Sequence, residues 1–196
     1  MGKPRLENNM EVLVACEFSG IVRDAFLDAG HDAVSCDLLD SERPGPHVTG
    51  DVAPLPKQPW DLVIAHPPCT YLCNSGVRWL HTRPGRWDLM RGAAEFFALC
   101  LNANAPLVAC ENPVMHGHAG IRKPDFTIQP WQFGHGEVKR TCFWTRGLPP
   151  LKPSDVVEGR APRIHHMSPG KDRGRERSRF YPGIAKAMAE QWGSLA

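Results

Sequence analysis

The chain has 196 residues, enough for one ordinary globular unit with a sizeable core. Its 42% hydrophobic and 22% charged content excludes a disordered or fibrous chain, and no apolar run approaches the ~20 residues of a membrane span. The formal net charge is only +2, and the seven cysteines form no spaced framework, which points away from disulfides and toward a reducing, cytoplasmic setting. Met1 to Met10 is polar and lacks the apolar stretch of a signal peptide.

Glu11 to Cys16 (EVLVAC) reads as a buried strand, because it is short, apolar and ended by polar residues. Phe18-Ser19-Gly20 is a turn, and Ile21 to Ala29 reads as a helix stopped by Gly30. His31 to Asp37 is a second strand, completing a β-turn-α-β unit. Asp61 to Ala65 and Pro106 to Cys110 are two further buried strands. Between them Trp87 to Leu101 has helical spacing, with Met90, Ala94, Phe97 and Leu101 on one stripe. Gly183 to Trp192 reads as a closing helix. Continuously apolar strands alternating with helices predict an α/β fold with a mainly parallel, doubly wound sheet. Residues 1–196 are expected to form a single domain. Residues 40–59 and 147–182 carry most of the prolines and are read as loops within it.

Ligands of open α/β sheets bind beyond the carboxyl ends of the strands, and four such ends here carry suggestive residues. The first delivers Glu17-Phe18-Ser19-Gly20. The second delivers Asp37, about twenty residues after the first turn, where a ribose hydroxyl is often held. The third ends in His66-Pro67-Pro68-Cys69 and the fourth in Glu111-Asn112-Pro113. Two prolines after a strand stiffen the loop that presents Cys69. A thiolate beside an acid is a sensible pair for chemistry on a base. Charge is concentrated as well. From Arg160 to Arg179 there are seven basic residues against Asp172 and Glu176, either a contact for a phosphate backbone or a solvated loop.

On these residues the chain resembles the DNA cytosine-5 methyltransferase family, especially its small phage and prophage members. Ala15 to Gly20, followed by Ile21 to Phe26, looks like the family's opening motif, and Asp37 and Gly50-Asp51 match its later acids. Pro68-Cys69 and Glu111-Asn112 match its two most specific signatures. Gln132 to Gly134, running on to Lys139 through Phe143, is similar to its Gln-rich and basic strand, and Tyr181 to Trp192 to its closing helix.

The resemblance implies a Rossmann-like methyltransferase fold, S-adenosyl-L-methionine as cofactor and DNA, single- or double-stranded, as partner. Cys69 is then the nucleophile that adds to carbon 6 of cytosine, and Glu111 the acid at N3. Asn112 orients the loop, and Lys139 or Arg140 holds the base carbonyl or a phosphate. Glu17, Phe18, Ser19, Gly20 and Pro67 line the cofactor, with Asp37 on its ribose and Asp51 near its adenine. Arg78, Arg173, Arg175, Arg177 and Arg179 are the expected nucleic-acid contacts. No metal is expected: His66, Cys69 and Cys73, or His116 and His118, lack the second pair of a zinc site.

Three features depart from the family pattern. Glu17 stands where a glycine is usual, Thr70 replaces the glutamine after the cysteine, and the arginine alternation is broken at Lys139-Arg140. Fewer than forty residues separate Phe143 from Tyr181, too few for a target-recognition domain. The chain is therefore expected to read little sequence, to act on single strands or nucleotides, to dimerise, or to use a partner protein. Other readings are an amino-methyltransferase, which places Pro-Pro-aromatic at this strand end, the same thiolate chemistry on another pyrimidine or on RNA, and an inactive nucleic-acid-binding relative.

Overall fold

A computed structural model describes residues 9–168 and 170–195. The first apolar run forms β1 (Glu11–Ala15), and Cys16 leaves the strand because its φ of 59° is left-handed. Helix α1 (Ile21–Asp28) follows. It closes with a bond from the His31 amide to the Phe26 carbonyl (3.0 Å), and Gly30, at φ 90°, makes that reversal without strain. Then come β2 (Asp32–Asp37), β3 (His47–Thr49) and β4 (Leu62–Ala65). A 3-10 segment, Asn74–Leu80, leads to α2 (Arg86–Leu101), followed by β5 (Leu107–Asn112), β6 (Phe126–Ile128) and β7 (Thr141–Arg146). Short helices α3 (Arg163–His166) and α4 (Arg173–Ser178) interrupt the Pro-rich stretch before α5 (Pro182–Trp192).

All seven strands form one sheet in the order β3-β2-β1-β4-β5-β7-β6. β1 to β5 run parallel, and β7 is antiparallel to both β5 and β6. Alternating residues of each central strand serve two cores. Val12, Val14, Leu62 and Ile64 face α1 and α5, with Phe26, Ile184, Met188 and Trp192. Leu13, Ala15, Val63 and Ala65 face α2, with Met90, Phe97 and Trp144. Helices on both faces explain why these strands are apolar throughout rather than alternating.

The chain order reverses direction between β1 and β4, so their carboxyl ends border a crevice. Ser35 to Asp37 pair with His47 to Thr49, which places β3 inside the stretch read as a loop from its prolines. A three-residue strand carries too little periodicity to announce itself, and the same holds for β6.

Candidate functional site

At the carboxyl end of β4 the backbone is pinned before it turns. The His66 amide donates to the Ala15 carbonyl (2.9 Å), extending the β1–β4 ladder by one residue. Pro67 is buried and Pro68 exposed, so the prolines carry the chain up from the core to the half-buried Cys69. One helical turn follows, closed by bonds from the amides of Leu72 and Cys73 to the Cys69 carbonyl (both 3.0 Å). Gly76 closes the next turn against the Thr70 carbonyl, where a Cβ would stand 2.8 Å from the oxygen.

The loop after β5 locks onto this turn. Asn112, 1% exposed, donates from Nδ2 to the Pro67 carbonyl (2.7 Å). The His116 amide donates to the Leu72 carbonyl (2.9 Å), and Cys73 bridges Met115. Glu111 lies on the same strand end, and its Oε2 is 3.3 Å from Nδ1 of His66, with both side chains nearly buried. The His66 ring rests on Phe180 (4.8 Å between centroids), which enters from the segment before α5.

The electrostatics of the pair Cys69 and Cys73 are asymmetric. The Cys69 thiol lies well above its ordinary range, through its hydrogen bond with Cys73, burial, and the negative charges of Cys73 and Glu111; Lys139 opposes these effects. Cys73 is pushed down to about 5 by hydrogen bonds from Cys69, from the Ser75 hydroxyl (2.9 Å) and from the amides of Ser75 and Gly76, against its own burial. Of the two thiols, Cys69 is thus the harder to ionise and Cys73 the easier.

The predicted residues divide into those the fold gathers and those it does not. Cys69, Glu111, Asn112 and Lys139 converge, the last through its field on Cys69 and its Nζ donating to the Arg177 carbonyl (3.1 Å). Arg140 is exposed. Asp37 and Asp51 share the β2–β3 end, where both carboxylates act on the thiols of Cys16 and Cys36. One oxygen of Asp37 accepts from the Leu39 amide (3.0 Å), and one of Asp51 from the Ala53 amide (3.0 Å). Leu38 and Leu39, 76% and 49% exposed, stand beside Asp37 as uncovered apolar surface.

Glu17 is 4% exposed and its carboxylate is spent internally. It accepts from the amides of Val22 (2.7 Å) and Arg23 (3.2 Å) and from the Ser19 hydroxyl (3.1 Å), capping α1 from within. Gly20 at φ 71° allows that turn, and a Cβ there would meet the buried Arg23 guanidinium at 2.5 Å. Phe18 is buried, with the Arg175 guanidinium 5.3 Å from its ring.

Two of the five expected nucleic-acid arginines are held in ion pairs within the molecule. Arg175 and Arg179 both pair with Glu42 (each 2.7 Å), and Arg179 also pairs with Glu176. Arg173 has a buried Nε without a partner among the described residues. Arg177 is exposed, and Arg78 is exposed with its guanidinium 4.3 Å from the Trp79 ring. The residues that sequence reasoning left out of the site are His66 and Cys73. Both were visible only as spacing within HPPC and C-x3-C, and their role emerges once β5 brings Glu111 and Ser75 turns back on Cys73. Among the described residues no group of His, Cys, Asp or Glu is arranged to hold a metal ion, and no helix is long and apolar enough to cross a membrane.

The sheet order, with its reversed seventh strand inserted between the fifth and sixth, defines a Rossmann-like fold of the S-adenosylmethionine-dependent methyltransferase type. The chain is similar in structure to a proposed DNA modification methyltransferase encoded within a prophage of E. coli, at TM-score 0.50 and 16% identity over 76% of this chain and 52% of that one. It also matches a mutant of Spodoptera frugiperda DNMT2 (TM-score 0.41, 15% identity, 78% and 55% of the two chains). A third match is the Entamoeba histolytica methyltransferase EhMeth (TM-score 0.46, 13% identity, 77% and 58%). The chain thus spans about half the length of the solved structures it matches. No family model and no curated protein matches it.

Proposed function

We propose that the chain is an S-adenosylmethionine-dependent methyltransferase that acts on carbon 5 of cytosine in nucleic acid, with Cys69 as covalent nucleophile. The observation that carries this reading is the convergence of Cys69, Glu111 and Asn112 at adjoining strand ends of a methyltransferase-type sheet.

The cofactor's nucleoside half suits the β2–β3 end. Asp37 offers an oxygen to ribose hydroxyls, and the uncovered Leu38 and Leu39 offer apolar area to a purine. Its amino-acid tail must be held without the α1 amides, since Glu17 already occupies them. When bound, S-adenosylmethionine supplies an electrophilic methyl group. The protein's own task is to make carbon 5 nucleophilic. Cys69 passes its proton to Cys73 and its sulfur bonds to carbon 6 of the ring. The displaced electron pair moves through the ring toward N3, where a proton on Glu111 meets it. After transfer, solvent water takes the carbon-5 proton as the Cys69 sulfur leaves with its bonding pair; N3 gives its proton back to Glu111 and Cys73 returns its proton to Cys69, which restores the ring and both side chains. Asn112 holds the Pro67 carbonyl and so fixes the Cys69 loop against Glu111.

The test is covalent trapping. Randomised single- and double-stranded oligodeoxynucleotides carrying 5-fluorocytosine, incubated with the protein and S-adenosylmethionine, should give an adduct that survives denaturing electrophoresis. Cys69→Ala should abolish it. An adduct that persists in Cys69→Ala removes the nucleophile from this reading, whereas DNA binding without any adduct favours a binding protein.

A further inference from the structure

His66 has a place at the site that the proposed mechanism does not use. Its Nδ1 lies 3.3 Å from Glu111 Oε2, its ring is held against Phe180, and its backbone is fixed by the bond to Ala15. Nε2, on the other side of the ring, is closed off from solvent and has no hydrogen-bond partner among the described residues. A buried polar atom left unpaired is costly, so this one, on the ring that contacts Glu111, calls for a partner that arrives with the substrate.

The identity of that partner follows from the tautomer. A carboxylate oxygen accepts, so in the neutral imidazole Glu111 Oε2 fixes the proton of His66 on Nδ1 and leaves Nε2 with a lone pair and no hydrogen. This holds equally when Glu111 carries a proton on Oε1, because Oε2 then remains the acceptor. Nε2 can therefore take a hydrogen bond but not give one. At the edge of a pyrimidine ring, cytosine presents an amino donor at carbon 4, and uracil presents a carbonyl acceptor there. An amino group beside N3 satisfies Nε2 while N3 meets Glu111; a carbonyl in its place sets two lone pairs against each other.

We infer that His66, oriented by Glu111, accepts the exocyclic amino group of the target base through Nε2 and so selects aminopyrimidine over oxopyrimidine substrates. This rests on the thiolate reading above, and it assigns base selection to a single side chain two residues before the prolines' end. The pair acts as one device: Glu111 reads the ring nitrogen and His66 the group beside it.

The experiment compares two otherwise identical oligonucleotide pools, one carrying 5-fluorocytosine and one 5-fluorouracil, by the rate of covalent adduct formation. The wild-type protein should prefer cytosine by a factor of about 100 or more, as expected where a buried acceptor would face an acceptor. His66→Ala should slow the cytosine reaction about 10- to 100-fold, the worth of one buried hydrogen bond, and leave the uracil reaction level or faster. His66→Gln, whose amide can turn either its oxygen or its NH2 group to the base, should keep the cytosine reaction within about tenfold of wild type and raise that of uracil. Circular dichroism and the melting temperature verify that each variant folds. Equal slowing of both bases by His66→Ala, or no wild-type preference, overturns the inference while the Cys69 adduct stands. No adduct with either base, or one that survives Cys69→Ala, defeats the thiolate reading itself and the inference with it.

Discussion

At the residue scale, the two sulfurs of the Cys69 turn have opposite characters. Cys69 is half-buried and the harder thiol to ionise, because Cys73, burial and Glu111 all oppose its charge. Cys73 is buried, yet hydrogen bonds from Ser75 and Gly76 hold it well below an ordinary thiol. In the proposed mechanism Cys73 is the base, and its position one helical turn after Cys69 puts the two side chains on one face. In this arrangement Cys73 is ionised above about 5 and loses its ability to accept a proton as pH falls through that value. Adduct formation by the wild-type protein should therefore rise through that region and be nearly level at neutral pH. In Cys73→Ser the acceptor is gone, so Cys69 must ionise alone. The rate at pH 7 should fall by ~100-fold, the usual worth of a positioned base, and should keep climbing into the alkaline range. Superimposable profiles for the two proteins would reduce Cys73 to a packing residue. His66 belongs to the same scale: it is a histidine whose use is fixed by which ring nitrogen Glu111 holds.

At the element scale, most of the parallel sheet was legible because its strands are short, continuously apolar runs, and their carboxyl ends coincide with the polar motifs. EVLVA, LVIA and LVACEN declare themselves by composition alone. What escaped was set by partners distant in the chain. β3 exists because Ser35 to Asp37 offer it a ladder, and α4 lies where it does because Glu42 draws Arg175 and Arg179 to it. Of the candidate site, Cys69, Glu111 and Asn112 come from motifs, whereas the His66–Glu111 contact spans 45 residues and needs the β4–β5 pairing to exist. The Glu42 tether has a consequence for the basic segment. Hydrogen bonds from Arg179 and Arg175 hold the Glu42 carboxyl below its ordinary value. A depressed carboxyl stabilises its partners fully above the unfolded value and loses that contribution as pH falls through the folded one. The tether should thus be intact at neutral pH and released in acid below the ordinary range of a glutamate. Glu42→Gln should mimic that release at pH 7, raising the rate of tryptic cleavage after Lys171 to Arg179 with little change elsewhere. If nucleic acid competes for these arginines, Glu42→Gln should also tighten binding and steepen its salt dependence. Unchanged proteolysis and unchanged binding would show that the segment is held by other contacts.

At the scale of the whole molecule, the carboxyl edge of the sheet divides into two halves at the point where the chain order reverses. The β1–β3 half carries the acids and the uncovered leucines, and the β4–β5–β7 half carries the thiols, His66, Glu111 and Lys139. A donor on one half and a base on the other would meet over the β1–β4 boundary, where Cys16 turns sharply and His66 ends its strand. This division predicts that donor binding and base chemistry are separable by mutation. S-adenosylmethionine at a hundred times its dissociation constant should stabilise the fold by ~2.7 kcal/mol. For a domain of this size that is a rise of roughly 5–10 °C in melting temperature. Asp37→Ala should remove most of that rise by taking away the ribose contact, while Cys69→Ala should keep it in full. Adenosine alone should give a substantial part of the shift, because Glu17 has already claimed the α1 amides that an amino-acid carboxylate would use. A shift that survives Asp37→Ala would move the donor off the β2 end, and no shift with either ligand would mean that the fold is put to use without this donor.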